Sequence, residues 1–320
     1  MKKKMKILFT SIGRRVELIQ AFKSAAQALS LDLEIYGADI SASAPALQFC
    51  DTSVIVPRIK EPSYIPTLLE LCEKEGIRAL IPTIDTDLLL LSRHKADFAR
   101  IGTLVSISTE DRIALCRDKR LTAEYFGSVG LKSPIPVDNV ADYKQGFPAF
   151  IKPKDGSSSI NAYKVEDAEA LADFAHRVPD YIIQKFIAGT EYTVDIFCDF
   201  EGNPIYITPR IRRAVRAGEV LKTEISQDAQ IIEEMQRLVA DYKPCGALTV
   251  QLIREEETGE DYYIEINPRF GGGAPLSMKA GADSAAAFLR LLQGEALAFS
   301  AGAAEDGAVF SRFDQSVRVK

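Results

Sequence analysis

The first third of the 320-residue chain alternates short apolar runs with longer amphipathic segments. The apolar runs are typical of buried strands, and the longer segments have the spacing of helices that bury one face. The predicted strands are 6–11, 33–38, 78–83 and 103–107, and the predicted helices are 16–28, 64–75 and 86–98. This alternation predicts a parallel α/β sheet with crossover helices.

The pattern changes after the proline-containing segment 133–136, which follows a helical stretch at 111–130 and marks a predicted domain boundary. Beyond it, short strands are separated by polar turns, which is typical of an antiparallel sheet. The predicted strands are 149–152, 181–187, 192–199, 205–210, 220–225, 247–253 and 262–267, and the predicted helices are 167–177 and 228–242. The second part is therefore α+β, with a last strand after the small-residue loop 298–307.

The composition excludes several classes of function. Hydrophobic residues make up 47% and charged residues 26%, and the net charge of −6 disfavours nucleic acid or an anionic membrane as a partner. The Lys-rich start is followed by an apolar run of residues 7–12 only, which is too short for an export signal, and no apolar run could span a bilayer. We therefore expect a cytoplasmic protein.

Cysteine and histidine offer little material for chemistry. The five cysteines are scattered without a C-x-x-C pair, so disulfides and a zinc site are not expected. His94 and His176 are the only histidines, which disfavours a histidine-based metal site or a Ser-His-Asp triad.

The turn after the first predicted strand contains Gly13 and resembles the opening of a nucleotide-binding Rossmann unit. The G-x-G-x-x-G fingerprint is missing, so a tight strand-to-helix turn is favoured over cofactor binding. Arg14 and Arg15 follow at the predicted helix start, where they could hold an anionic substrate group.

The sharpest polar pattern lies on the predicted strand 262–267. Alternate side chains share one face of a strand, so Glu265, Asn267 and Arg269 point one way and the intervening apolar side chains point the other. Counting back through the turn places Gln251 opposite 265–267. Carboxylate and amide oxygens at this spacing suit Mg²⁺, whereas the alternative is a polar strand face in solvent.

A second pattern is the strand FIKP, which ends in Lys152-Pro153 and precedes the small-residue loop GSSS at 156–159. Such a loop can cradle phosphate with its backbone N–H groups, although no Walker A motif is present. Taken alone, a small-residue hairpin is the favoured interpretation.

The order of these motifs resembles the ATP-grasp superfamily, and within it a single ATP-grasp unit of the carbamoyl-phosphate synthase large subunit. The motifs are Asp118-Lys119, FIKP at 150–153, GSSS at 156–159, QKFI at 184–187, GTEY at 189–192, Gln251 and EINPR at 265–269. The resemblance implies a Rossmann-like pre-ATP-grasp domain at 1–108 and a two-subdomain ATP-grasp domain at 109–320, divided into 109–186 and 187–320.

The resemblance also implies a role for each matched residue. The residues implied to bind ATP are Lys119 and Lys152 at the phosphates or adenine, Ser157 and Ser158 in the loop over the phosphates, Gln184, Lys185, Phe186 and Ile187 in the strand linker facing the adenine, and Glu191 at the ribose. The implied ligands of Mg²⁺, with Mn²⁺ as an alternative ion, are Gln251, Glu265 and Asn267. Arg269 is implied to stabilise the transferred phosphoryl group.

The segment PRIRRAVR at 209–216 is a local basic cluster in an acidic chain. It is either a solvated basic strand end or a phosphate-binding or substrate-binding element. Arg210 is the best candidate for a phosphate-facing residue because its strand position matches that of similar enzymes, and Arg213 and Arg216 are weaker candidates.

The first functional hypothesis is a ligase that uses Mg-ATP to activate a small carboxylate as an acyl phosphate for attack by an amine. The alternatives are carbamoyl-phosphate-synthase-like phosphorylation of bicarbonate or carbamate, and a non-catalytic ATP-binding module. The expected partners are small carboxylates and amines, bound near Arg14, Asp85, Arg213 and Gly271, and the resemblance implies a homodimer.

Overall fold

The computed structural model describes residues 4–155 and 160–319. Its first part is a parallel five-stranded sheet in the order β3-β2-β1-β4-β5, as the alternating pattern predicts. The strands are β1 (Met5–Thr10), β2 (Leu33–Asp39), β3 (Thr52–Ile55), β4 (Ala79–Pro82) and β5 (Leu104–Val105). The helices are α1 (Val16–Ala28), α2 (Tyr64–Glu75), α3 (Leu88–Arg93) and α4 (Lys95–Arg100), and a 3₁₀ turn spans Pro45–Phe49.

Two details of this domain differ from the sequence prediction. The single helix predicted at 86–98 is two short helices that meet at His94, whose backbone leaves the helical region. Strand β3 was not predicted because it has only four residues and none of them is fully buried, so its apolar signal is weak.

A smaller antiparallel sheet of three strands follows, in the order β7-β6-β8. Its strands are β6 (Ala149–Pro153), β7 (Tyr163–Val165) and β8 (Tyr181–Lys185). The helices before and between them are α5 (Glu110–Arg117), α6 (Lys119–Ser128) and α7 (Ala168–Arg177), with a 3₁₀ turn at Val140–Asp142. The helical stretch predicted at 111–130 is divided at Asp118, whose extended backbone and side-chain cap begin α6.

The largest sheet is antiparallel and has six strands in the order β13-β12-β9-β10-β11-β14. Its strands are β9 (Gly189–Cys198), β10 (Pro204–Arg216), β11 (Glu219–Ile225), β12 (Ala247–Glu255), β13 (Asp261–Asn267) and β14 (Val309–Ser311). The remaining helices are α8 (Ala229–Tyr242), α9 (Ala274–Lys279) and α10 (Ser284–Leu292).

The six-stranded sheet buries its two faces differently. Val194, Val250 and Ile266 point from three neighbouring strands into a core that α6 and α8 cover, with Phe126 and Met235 among its members. The helix α6 therefore packs on the six-stranded sheet, although the sequence prediction groups it with the small sheet in 109–186. The domain limits themselves stay a prediction.

On the opposite face, one end of the six-stranded sheet is apolar and packs against the parallel domain. Phe197 and Phe270 join Phe22 of α1 and Phe288 of α10 in a core that extends to the parallel sheet. The rest of this face carries polar side chains and is called the polar face below. No helix within the described ranges is long and apolar enough to cross a membrane.

Candidate functional site

The polar face carries the Glu265 motif at its β12–β13 end. Gln251 is paired with Glu265 across the strands, and Thr249 is paired with Asn267. Paired residues of antiparallel strands share a face, so Gln251, Glu265 and Asn267 lie together as the sequence predicts. Ile266 points to the other face, where it is buried.

The oxygens of this group suit a hard cation. Asn267 Nδ2 donates to Glu265 Oε1 at 2.9 Å, which fixes both side chains. Among residues 4–155 and 160–319, no group of three or more His, Cys, Asp or Glu side chains could hold a metal ion. A cation here would therefore be held by one carboxylate, amide oxygens, water and the oxygens of a bound phosphate, which is the usual environment of Mg²⁺. The residues fit such an ion.

Two lysines lie close to Glu265, a buried one and a half-buried one. Lys152 on β6 is only 6% exposed, and its pKa is lowered to about 8, first by burial and then by the positive charge of Lys119. Burial also lowers the pKa of Lys119, while the negative charge of Glu265 acts in the opposite direction on both lysines. The Lys119 backbone N–H donates to the carbonyl oxygen of Lys154 at 3.0 Å, which ties the start of α6 to the end of β6. Positive charge is thus concentrated beside the polar face.

The segment 184–187 connects the two antiparallel sheets, as expected for the strand linker. Gln184 is buried, and its Nε2 donates to the Pro134 carbonyl oxygen at 2.6 Å. Lys185 Nζ donates to Glu255 Oε1 at 3.0 Å, which joins β8 to β12.

The two residues that follow Lys185 fix the exit from the small sheet. The Phe186 backbone N–H donates to the Pro148 carbonyl oxygen at 3.1 Å, and the Ile187 side chain is buried. Contact of the linker with adenine stays a prediction.

Glu191 lies near the start of β9 with an exposed side chain. Arg212 Nε donates to its Oε2 at 3.1 Å, and Arg212 also contacts Thr193 and the Gly218 carbonyl oxygen. The Glu191 carboxylate is accessible from solvent, so its predicted ribose contact stays open. The candidates Ser157 and Ser158 lie outside the described residues.

Arg210 is the most deeply placed charge of the polar face, with 1% exposure. Its guanidinium donates to Asp195 at 2.6 and 3.2 Å and to Thr223 Oγ1 at 3.3 Å. Its predicted contact with a phosphate would require these bonds to rearrange. The weaker candidates Arg213 and Arg216 form exposed ion pairs with carboxylates of neighbouring segments.

Arg269 reaches across to the parallel domain. Its Nη2 and Nε donate to Asp85 Oδ2 at 2.6 and 3.2 Å, and its Nη2 lies 3.5 Å from Asn267 Oδ1. Arg15 lies nearby, with Nη2 donating to the Thr83 carbonyl oxygen at 3.3 Å. The loop after β4 therefore borders the site. The only indication of this in the sequence analysis is the expectation that substrates bind near Asp85.

Two further charged residues join this border, Glu219 and Arg312. Arg15 Nη1 lies 3.8 Å from Glu219, and Arg312 Nη1 lies 3.5 Å from it. A Cβ at Gly272 would lie 2.2 Å from Glu219 Oε2 and 2.7 Å from Arg15 Nη1, so the glycine lets the loop after β13 pass close to these charges. No motif marks Glu219 or Arg312, because their contacts come from distant parts of the chain.

The Rossmann-like turn has no free phosphate-binding amide at its glycine. Gly13 adopts a positive φ of 45°, and its N–H donates to Asp39 Oδ2 at 2.8 Å. The carboxylate occupies the place that a phosphate oxygen would need, which supports the structural interpretation of Gly13.

Comparison with known proteins gives two family matches. Residues 7–106 match the family model of PylC-like N-terminal domains, and residues 177–312 match that of ATP-grasp proteins in the biosynthetic pathway with Ter operon.

Curated relatives match over most of the chain. The 3-methyl-D-ornithine–L-lysine ligase of Methanosarcina acetivorans is 26% identical over 263 residues, which is 81% of this chain and 67% of the relative. The N-terminal section of the carbamoyl phosphate synthase large chain of Aquifex aeolicus is 25% identical over 297 residues, 84% of this chain and 53% of the relative. The chain thus spans between one half and two thirds of the length of these relatives.

Solved structures share the fold at low sequence identity. The biotin carboxylase domain of Hydrogenobacter thermophilus 2-oxoglutarate carboxylase, in complex with MgADP and bicarbonate, has a TM-score of 0.74 at 16% identity and covers 96% of this chain and 74% of that chain. The L-amino acid ligase of Bacillus licheniformis has a TM-score of 0.71 at 16% identity, with 92% and 75% covered. With the ordered motifs and the two antiparallel sheets, these matches lead to one conclusion: the chain belongs to the ATP-grasp superfamily and resembles a single ATP-grasp unit of the carbamoyl-phosphate synthase large subunit.

Proposed function

We propose that the protein is an ATP-dependent ligase that activates a small carboxylate as an acyl phosphate for attack by an amine. The observation that carries this proposal is the meeting of two lysines, Lys119 and the buried Lys152, with the oxygen group of Gln251, Glu265 and Asn267. Buried positive charge beside hard oxygen ligands is the combination that a metal-bound triphosphate requires.

The chain's own residues have distinct tasks in this reaction. Glu265, Asn267 and Gln251 would hold Mg²⁺, or Mn²⁺ in its place, and the ion would neutralise charge on the phosphates. Lys119 and Lys152 would bind phosphate oxygens, and an anion beside Lys152 would compensate the cost of burying its ammonium. The resemblance assigns Ser157 and Ser158, which lie outside the described residues, to binding of the phosphates.

The remaining nucleotide contacts follow the linker. Gln184, Lys185, Phe186 and Ile187 would border the adenine, and Glu191 would accept from the ribose hydroxyls. Arg269 and Arg210 are the candidates for contact with the transferred phosphoryl group. Arg269 needs a smaller rearrangement than Arg210, because its ion pair lies at the border of the site and the pair of Arg210 is buried.

The reaction needs no protein nucleophile. A carboxylate oxygen of the substrate attacks the γ-phosphorus, the bond to the β-phosphate oxygen breaks, and ADP leaves. The amine nitrogen then attacks the acyl carbon, phosphate departs with the bonding electron pair, and the nitrogen loses a proton. Positioning and charge neutralisation supply most of the catalysis in such transfers, and the scarcity of histidine is consistent with this.

The test is a turnover assay. The protein is incubated with Mg-ATP and a panel of carboxylates and amines, and ADP and phosphate are measured. Release that requires one acid and one amine together would support the ligase. Release with bicarbonate alone would favour carbamoyl-phosphate-synthase-like chemistry, an alternative suggested by the 84% coverage of the chain in that match. Nucleotide binding without turnover under any pairing would contradict both and indicate a binding module.

A cytoplasmic location and a homodimer remain predictions that accompany this proposal. Gel filtration with light scattering would test the dimer directly, because a monomeric mass at micromolar concentration would contradict it.

A further inference from the structure

The ion pair between Arg269 and Asp85 connects the two parts of the molecule at the edge of the site. The residues are 184 positions apart, and their side chains are 12% and 23% exposed. Partial burial strengthens such a charge pair relative to one in water. The contact therefore holds the Arg269 guanidinium in a defined direction.

The ion pair with Asp85 competes with the phosphoryl contact proposed for Arg269. The residue lies two positions after Asn267, yet its shortest hydrogen bond, 2.6 Å from Nη2, and a second bond from Nε both go to Asp85 Oδ2. Its Nη1 donates to the Phe270 carbonyl oxygen at 3.2 Å. A guanidinium that is neutralised by a carboxylate has less attraction for a phosphate, so Arg269 as placed here is held back from the nucleotide.

Asp85 has a second, unused oxygen. Its Oδ1 is buried and has no hydrogen-bond partner among the described residues. A buried carboxylate oxygen without a donor is unfavourable, so this atom is a ready acceptor for an N–H group. The Asp85 backbone is itself fixed, because Arg117 Nη1 donates to its carbonyl oxygen at 3.2 Å.

Positive charge surrounds the same place. The charge of Arg269 lowers the pKa of Arg15, whose main shift comes from burial, and the negative charge of Asp85 acts in the opposite direction. Arg15 contacts the Thr83 carbonyl oxygen, two residues before Asp85, so the two residues border one small volume. A ligand amino group there would be drawn to Asp85 rather than to its arginine neighbours.

We propose that Asp85 is a positioning residue that restrains Arg269 until the amine substrate arrives. An N–H donor of the substrate binds the Asp85 carboxylate, weakens its hold on Arg269, and frees the guanidinium to contact the terminal phosphate. The inference depends on the proposed function, because it assigns the amine to the border formed by Asp85 and Arg15. It predicts that amine and triphosphate binding favour each other, since such coupling is reciprocal.

The test compares binding of two nucleotides, Mg-ADP and the magnesium complex of β,γ-imido-ATP, by calorimetry without any amine. The measured quantity is the preference for the triphosphate, the ratio of the two dissociation constants. Asp85→Asn should raise this preference by about 5-fold to 150-fold, the usual range of coupling between sites. Arg269→Gln, and the double variant, should match the wild type within about twofold, because the wild-type guanidinium is already held by Asp85.

A matched control is Asp314→Asn, which removes the carboxylate of the exposed Arg216–Asp314 pair. It should leave the preference unchanged, and circular dichroism would establish that each variant is folded. The Arg269→Gln measurement tests the inference by itself if Asp85→Asn does not fold.

The outcomes separate the two proposals. An unchanged preference in folded Asp85→Asn would overturn the restraint but leave the ligase standing. A large loss of preference in Arg269→Gln would also overturn it, because Arg269 would then already contact the phosphate in the wild type. Absence of binding of either nucleotide to the wild type would overturn the proposed function together with this inference.

Discussion

Two regions of the polar face differ in how their charges are compensated. On the central strands β9 and β10, Arg210 is matched by Asp195, which also accepts from Ser277 Oγ at 2.6 Å. At the β12–β13 end, Glu265 is half-buried and shares a hydrogen bond with Asn267, while Lys152 nearby is buried with a pKa of about 8.

The comparison distinguishes charged side chains that stabilise the sheet from charged side chains that are available to bind a ligand. A buried ion pair whose hydrogen bonds are complete fixes the strands and leaves little capacity for a ligand. A buried lysine with a lowered pKa lacks full compensation and gains from an anion that binds beside it. Variants on the central strands should therefore change different properties from variants at the β12–β13 edge.

The largest expected effect is on stability, at the buried pair of Arg210 and Asp195. Asp195→Ala leaves a buried guanidinium without its carboxylate, and we expect the free energy of unfolding to fall by about 3–5 kcal/mol. Urea denaturation measures it. The double variant Asp195→Ala, Arg210→Met should recover much of the loss, because it removes the unpaired charge. A loss below about 1 kcal/mol in the single variant would show that the pair is not structural.

Asp87 extends the comparison to a buried carboxylate that accepts from three hydroxyl groups and has no cationic partner among its recorded hydrogen bonds within 4–155 and 160–319. It is fully buried, its Oδ2 accepts from Thr10, Ser11 and Tyr64, and burial raises its pKa to about 6. Because the folded-state pKa lies above the unfolded value, the unfolded chain ionises first as the pH rises. Stability contributed by the protonated form should decline between about pH 4 and pH 6, by up to about 3 kcal/mol.

The measurement is the free energy of unfolding of wild type and Asp87→Asn at several pH values. The asparagine does not titrate, so the difference between the two proteins isolates Asp87. The wild type should lose stability relative to the variant across this window. A constant difference would mean that Asp87 has the same pKa in both states.

At the β12–β13 edge, the expected effect is on activity. Glu265→Gln and Asn267→Ala should each reduce Mg-ATP turnover by at least about 100-fold, because each removes an oxygen ligand of the ion. Their free energies of unfolding should stay near that of the wild type. The control is Glu260→Gln, which changes an exposed carboxylate just before β13 that pairs with Lys132. Wild-type turnover in both site variants would contradict the metal assignment.

The smallest expected effect is on nucleotide affinity. Lys152→Met should weaken binding of Mg-ATP by about tenfold, the value of one charge-assisted hydrogen bond. It should not lower stability, because it replaces a desolvated ammonium with an apolar group of similar length. Calorimetry measures the affinity, and Lys222→Met, at an exposed position of β11, is the control. Loss of stability without loss of affinity would show that Lys152, like Arg210, stabilises the fold and does not bind the nucleotide.

Much of the fold could be predicted because local patterns agree with it. Helices α1 and α2 have the predicted limits, and all seven strands predicted in the second part are present, with ends shifted by up to six residues in β10, which extends to Arg216. The small strand β7 and helices α9 and α10 were not predicted. Helix α9 follows the glycines 271–273 and is only six residues long, so its periodicity is too short to recognise.

The sequence by itself determined the polar and apolar alternation of β13, the placement of Gln251 opposite 265–267, and the order of motifs that identifies the superfamily. Each of these depends on residues that are neighbours along the chain or across one hairpin, where the strand repeat fixes direction. Tertiary structure alone decided that Arg210 is paired with Asp195, that Asp39 accepts a hydrogen bond from the Gly13 N–H, and that Asp85 forms an ion pair with Arg269. Arg269 and Asp85 belong to different domains, Gly13 and Asp39 lie near the ends of two different strands, and Arg210 is paired with Thr193 in the strand register rather than with Asp195. The partner of each charge is therefore set by which groups the packed core brings within reach.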